Sequence, residues 1–288
     1  MRGYKKCSGE VPTTIATALV RKRLNNMKRG TTLLIAMLLA AALSTNLAAQ
    51  ERVIVDSSKP KLEIIVPDEE DILAKTLAGS SPYYYTNLML KYRSSTESLD
   101  AMEYYYLYYG YLYQEGYRPF TQNRALDDML SVMTNIDLEQ PTVGQLERLI
   151  EYGVEAMELD PFNPKVLNMM AFAYGALGDT QREKQYFDHL NGVLSTIERS
   201  GTGLKEEEPW HILMFSHAYD VVAAKGYAYN EARIISRTTE FVPLVRKQNN
   251  IKGFYFDYSR VYRNKPDDVT LKRDRTWQFN NLAPQQYK

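Results

Sequence analysis

His211, His217 and Asp220 form the one cluster of ligand-type side chains in the chain, which holds three histidines in all. His217 and Asp220 are three residues apart and share a face if the segment is helical. A histidine beside a carboxylate is the acid–base element of many hydrolases. A hydroxyl stands within reach in sequence, Ser200 of the Ser200-Gly201-Thr202-Gly203 stretch. No G-x-S-x-G marks a nucleophile elbow, so Ser200, His217 and Asp220 would act together only if the fold converged them. Glycine loops can also cradle an anion with backbone amides. The lysine spacing of a phosphate loop is absent, and a helix end followed by a turn accounts for the same residues. Zinc wants three or four ligands. The spacing offers one reliable pair, Glu206, Glu207 and Glu208 fall in a loop, and H-E-x-x-H is absent. Neither a metal nor another cofactor is expected.

The second candidate is aromatic. Residues 103–120 read EYYYLYYGYLYQEGYRPF, with eight tyrosines among eighteen residues. Tyr105, Tyr108 and Tyr111 could stack on a sugar or peptide, since phenol combines apolar area with a polar tip. They could equally line a helix seam. Tyrosines surround the helix on all sides and Gly110 lies inside it, which favours a buried seam with hydroxyls at its edge.

The elements that would carry these residues read mostly as helices. Residues 67–70 open a helix that runs to about 78. Asp100 and Glu103 form a capping box, Leu99 and Tyr104 a staple, and Gly116 a stop, so the tyrosine helix is expected over 101–115. Thr142 and Gln145 cap a helix with an inward stripe of Leu146, Leu149, Ile150, Gly153, Val154 and Met157. Asn163 and Pro164 start the next, which ends at Gly178, and a third carries Tyr186, Phe187, Leu190, Leu194 and Ile197 to Gly201. The short breaks between these three require antiparallel packing. After 203 the texture changes to one helix over 217–225 and strands over 232–236, 239–245 and 252–259. Phe254, Phe256 and Tyr258 alternate with Tyr255 and Asp257, and Pro243 marks an edge or a bulge. The expected class is therefore α+β, mostly α: antiparallel helical hairpins over 67–203, then a small antiparallel sheet with one helix over 204–262.

Ala156, Pro161, Leu167, Met170, Ala171, Tyr174, Gly178 and Phe187 resemble a tetratricopeptide helix–turn–helix unit, although Glu183 stands where that motif has a small residue. A wider resemblance rests on SPYYYTNLMLKY, YYLYYGYLYQEGYRPF, LDPFNP, AYGALGD, SGTG, HAYDVV and GFYFDYSR in that order. Together these resemble a family of secreted bacterial proteins, found mainly in the Bacteroidetes and catalogued as domain of unknown function 4919. The resemblance covers about residues 68–260. It implies a secreted product and a domain span, and supplies no catalytic residues.

The N-terminus points to the same compartment. Lys28 and Arg29 precede the apolar run 33–43 and the small-residue exit Leu47-Ala48-Ala49-Gln50, the pattern of a signal peptide. The expected organisation is an upstream stretch 1–26 that is not translated, a signal peptide 27–49 starting at Met27, an extended leader 50–66 and a polar tail 263–288. Residues 1–49 hold eight Lys or Arg and one acidic residue, which leaves 27 basic against 34 acidic, a net charge of −7 for the remainder. That balance argues against nucleic acid as a partner. The single cysteine, Cys7, lies in the removed part, which leaves no disulfide. Cleavage near Ala49 or Gln50 gives a periplasmic or secreted protein with no integral membrane segment. The expected function is binding or scaffolding, with a protein, peptide or glycan as partner; a hydrolase of peptide or glycan built on the His217 and Asp220 region is the alternative.

Overall fold

Asp68 accepts hydrogen bonds from the amides of Glu70 and Asp71 and so starts α1 (Glu69–Leu77), whose acidic first turn suits the positive end of the helix dipole. The computed structural model describes residues 63–94, 97–263 and 265. The stretches expected as an untranslated segment (1–26) and a signal peptide (27–49), most of the expected leader 50–66 and nearly all of the tail 263–288 lie outside those residues.

A second helix, α2 (Tyr85–Ser94), follows without a capping motif in its sequence and buries Tyr85, Leu88 and Tyr92 along one face. The tyrosine helix α3 (Ala101–Gly110) begins with the expected capping box, Asp100 and Glu103 each bonding the other's amide. It is shorter than the sequence suggests. The chain tightens into a 3₁₀ turn over Tyr111–Tyr113, and the Gln114 side chain donates to the Gly110 carbonyl at 3.2 Å. Every residue from Tyr104 to Gly110 is buried because α3 is enclosed by α1, α2 and a later helix. At Gly110 the approach is close: an added Cβ would lie 2.7 Å from Thr76 Cγ2 and 3.3 Å from the Tyr85 ring.

Four helices then run back and forth: α4 (Arg124–Thr134), α5 (Val143–Leu159), α6 (Pro164–Leu177) and α7 (Thr180–Glu198). Asn123 caps α4 and its side-chain amide also donates to the Ala156 carbonyl at 2.8 Å, which joins the start of α4 to the end of α5. Gly153 faces Met170 across the α5–α6 pair, and Tyr174 stacks on Tyr186 at 5.4 Å across α6–α7. Those pairings place each helix antiparallel to the one before. Val154 and Phe187, expected to point inward, are each 51% exposed; Ala156, His189 and Val193 occupy the seams instead. One residue of offset along a helix is a turn of about 100°, enough to move a side chain from seam to solvent.

The sheet is mixed, in contrast to the antiparallel one expected. Its order is β1 (Trp210–His211), β4 (Ile251–Asp257), β3 (Thr239–Gln248) and β2 (Arg233–Ile234), and β1 runs parallel to β4. The crossover needed for a parallel pair is supplied by the long connection through α8 (Phe215–Ala224) and the β2–β3 segment. Phe254, Phe256 and Tyr258 are buried as their alternation implies. Pro243 sits where the β3–β4 register begins to shift, so it belongs to a bulge. A last short helix, α9 (Ser259–Arg263), follows β4.

Two apolar cores result. One joins α1, α2, α3, α7, α8 and the sheet around the tyrosines; the other lies among α4, α5 and α6.

Candidate functional site

The histidine and carboxylate candidates do not meet. His217, on the first turn of α8, is 1% exposed and engaged at both ring nitrogens. Nε2 lies 3.1 Å from Asp160 Oδ2 and Nδ1 lies 2.8 Å from the Tyr108 hydroxyl. A carboxylate only accepts, so Nε2 carries the hydrogen in the contact with Asp160. The Leu213 amide donates in turn to Tyr108 Oη at 3.2 Å. Asp160 is the C-cap of α5, and the Asn163 side-chain amide donates to its Oδ2 at 3.1 Å. The Asp160–Asn163 turn is thus gripped by α8 through His217 and by α3 through Tyr108. Tyr92 and Tyr111 complete the grip by donating to the carbonyls of Pro161 and Leu159 at 2.9 and 2.8 Å.

His211 lies in another environment. Arg260 Nη1 donates to its Nδ1 at 2.9 Å, and Tyr109 donates to its carbonyl at 3.1 Å. Ser200 is buried at the end of α7, where its hydroxyl donates to the Ile197 carbonyl at 2.6 Å and accepts the His211 amide at 2.8 Å. The first is a local side-chain bond of the kind serine makes at helix ends. In the loop that follows, Gly203 has φ +65°, donates its amide to the Glu208 carbonyl and accepts from the Tyr255 amide. These groups tie the loop to β4 and to Glu208. Among the described residues, no three of His, Cys, Asp or Glu come together as a metal site.

The three tyrosines considered for ligand stacking are inside. Tyr105, Tyr108 and Tyr111 are 6%, 0% and 4% exposed, so none presents an open ring face. Tyr105 Oη accepts the Asp68 amide at 3.0 Å, and burial pushes the hydroxyl pKa of all three upward. The same holds along the helix: Tyr106 donates to Asp71 and accepts from Lys75, each at 2.7 Å, and Tyr113 donates to the Glu69 carbonyl. Tyr113 is only half-buried, unlike Tyr106 and Tyr109.

Among the described residues, two open concavities bear on the candidates. The larger, about 630 Å³, lies between α7 and the segment that leads into α3. Gln181, Gln185, Asp188, Asn191 and Ser195 line it on successive turns of α7, and Tyr104 with His189 form its floor. Tyr104 Oη is 3.0 Å from His189 Nδ1, and Tyr92 stacks on the imidazole at 3.8 Å. Burial holds the His189 pKa down at about 4.

The smaller concavity, about 380 Å³, lies where α8 meets the start of α6, and Asp220 is in its lining. Asp220 is 4% exposed and pairs with Lys165, whose Nζ lies 3.1 Å from Oδ1. Apart from that ion pair, no hydrogen bond of good geometry reaches either carboxylate oxygen. Burial pushes the Asp220 carboxyl pKa up, against the pull of Lys165.

Asp160, Lys165 and His189 gave no functional signal in the sequence. Asp160-Pro161 reads there as a helix stop, and a tie that spans more than fifty residues leaves no local trace.

The family model for a domain of unknown function, DUF4919, matches residues 70–266, which takes in both concavities and the buried ties. The chain belongs to that family. No curated protein and no solved structure matches it. Among the described residues, no helix is long and apolar enough to cross a membrane.

Proposed function

We propose that this member of the family is a binding module without catalysis, and that it holds an extended peptide or glycan strand along the groove of α7. The groove itself carries the reading. Amide and hydroxyl side chains recur on one face of α7 over four turns, and a strand of peptide or sugar has donors and acceptors at a comparable rhythm. Lys184, Asp188 and Arg199 add charges of both signs along the same rim, which suits a polar ligand of no large net charge. The succession α5 to α7 is read as tetratricopeptide-like, a class of scaffold that presents a concave face to its ligand. Export to the periplasm or outside the cell follows from Lys28, Arg29 and the apolar run 33–43. The hydrolase alternative asks His217 to act on a substrate, and His217 is already bonded on both sides in the interior.

The test is a titration of the purified protein with arrays of peptides and oligosaccharides. A ligand whose affinity falls at least tenfold in Gln181→Ala/Gln185→Ala, with an unchanged melting temperature, supports the groove. Hydrolysis of a chromogenic peptide or glycoside that His217→Ala abolishes in a folded variant would replace this reading with the enzyme.

A further inference from the structure

We infer that the pocket over Asp220 is a binding site for a primary ammonium group, carried by a lysine side chain or by the amino end of a peptide. It shares no lining residue with the α7 groove, so it stands apart from the reading above.

The argument starts from an incomplete interaction. Buried carboxylates in folded proteins are almost always supplied with hydrogen bonds. Asp220 is nine-tenths buried, yet beyond its ion pair with Lys165 neither oxygen receives a hydrogen bond of good geometry. Lys165 is a poor permanent partner. It stands at the second position of α6, its side chain is 40% exposed, and its four-carbon stem can swing outward.

The rest of the lining fits a cation. Glu231 adds a second carboxylate, so the pocket carries two negative charges against the single positive one of Lys165. An ammonium that enters beside Asp220 and displaces Lys165 toward Glu231 brings that count to balance. An anion meets two carboxylates, and a neutral polyol leaves the charge as it was. Tyr219 and Tyr229 wall the pocket with rings 5.1 Å apart. Their faces attract an ammonium and pack against its carbon stem. Both walls are anchored: the Tyr219 hydroxyl accepts the Ala232 amide at 3.3 Å, and Tyr229 bridges to Leu244 of β3. The volume of about 380 Å³ holds a lysine side chain.

Four probes separate the possibilities when titrated into the full chain: Nα-acetyl-lysine amide, glycylglycine amide, Nα-acetyl-norleucine amide and methyl glucoside. One of the two amines should bind saturably, with NMR shifts at Tyr219 and Tyr229, and the neutral probes should not. Preference for the first amine assigns the site to lysine side chains; preference for the second assigns it to peptide amino ends. Asp220→Asn should weaken amine binding at least tenfold, and Lys165→Met, which removes the resident ammonium, should tighten it several-fold. Failure of both amines to saturate would overturn the assignment. So would equal binding of norleucine amide or the glucoside, or loss of amine binding in Lys165→Met. Should Asp220→Asn fail to fold, Lys165→Met and the comparison of lysine with norleucine amide still decide.

Discussion

His217 Nε2 lies 3.1 Å from Asp160 Oδ2, in the interior, and that bond, with a second from Asn163 to Ser216 at 3.3 Å, fastens helix α8 to the turn between α5 and α6. The two residues are 57 positions apart, and Tyr108 on α3 holds the other ring nitrogen. Removing His217 takes one hydrogen bond from buried Asp160, which keeps those from Asn163 and Phe162, and one from the Tyr108 hydroxyl. His217→Leu should therefore lower stability by about 1 to 3 kcal/mol. A double-mutant cycle of His217→Leu and Asp160→Asn in chemical denaturation should give a coupling of about 1 to 3 kcal/mol. Additive losses would mean that the bond contributes nothing.

Tyr109 is buried to 1% and donates to the His211 carbonyl at 3.1 Å, with the Arg260 guanidinium 5.7 Å from its ring. Tyr109→Ala should cost about 3 to 5 kcal/mol, the range for deletion of a large buried ring. Tyr109→Phe keeps the packing and orphans one carbonyl, for a loss of about 1 to 2 kcal/mol. Thermal melts of both variants give the comparison. Two melts identical to the parent would place the ring outside the core.

At Gly110 a Cβ would meet the Thr76 Cγ2 methyl at 2.7 Å. Gly110→Ala should destabilise by about 1 to 3 kcal/mol, through overpacking. Thr76→Ser removes that methyl and keeps the hydroxyl that donates to the Ile72 carbonyl. The double variant should recover part of the loss, which denaturant midpoints would show.

His189 gives the protein an acid-sensitive element. Its pKa is about 4 in the fold because burial disfavours the charged ring, against 6.5 for a free imidazole. Between those two values the unfolded chain takes up a proton that the folded chain refuses. Stability therefore falls as the pH drops from about 6.5 toward 4, by about 3 kcal/mol at most, and this residue contributes no slope above pH 7. His189→Gln should flatten the loss between pH 7 and 5 relative to the parent. Parallel pH profiles for the two proteins would show that His189 is not the group responsible.

The sequence by itself determined what depends on neighbours along the chain. Asp100 with Glu103, Thr142 with Gln145, Asn163 with Pro164 and the glycine at 178 each act within one turn, so they fixed where α3, α5 and α6 begin and where α6 stops. The alternation in Phe254, Phe256 and Tyr258 did the same for β4, and an all-round tyrosine helix implied enclosure because no single face could be left for water. α2 escaped because it has no capping motif and its burial comes from packing. α4 was missed although its Asn123 cap and its one-sided apolar face were local signals. Tertiary structure alone decided the partners. His217 stood three residues from Asp220 in sequence and bonded Asp160; Asp220 faced Lys165 across the α6–α8 contact; β1 paired parallel to β4 over a connection of some forty residues. Hydrogen bonds and ion pairs act over about 3 Å in space, and the chain brings such atoms together only once its helices have packed.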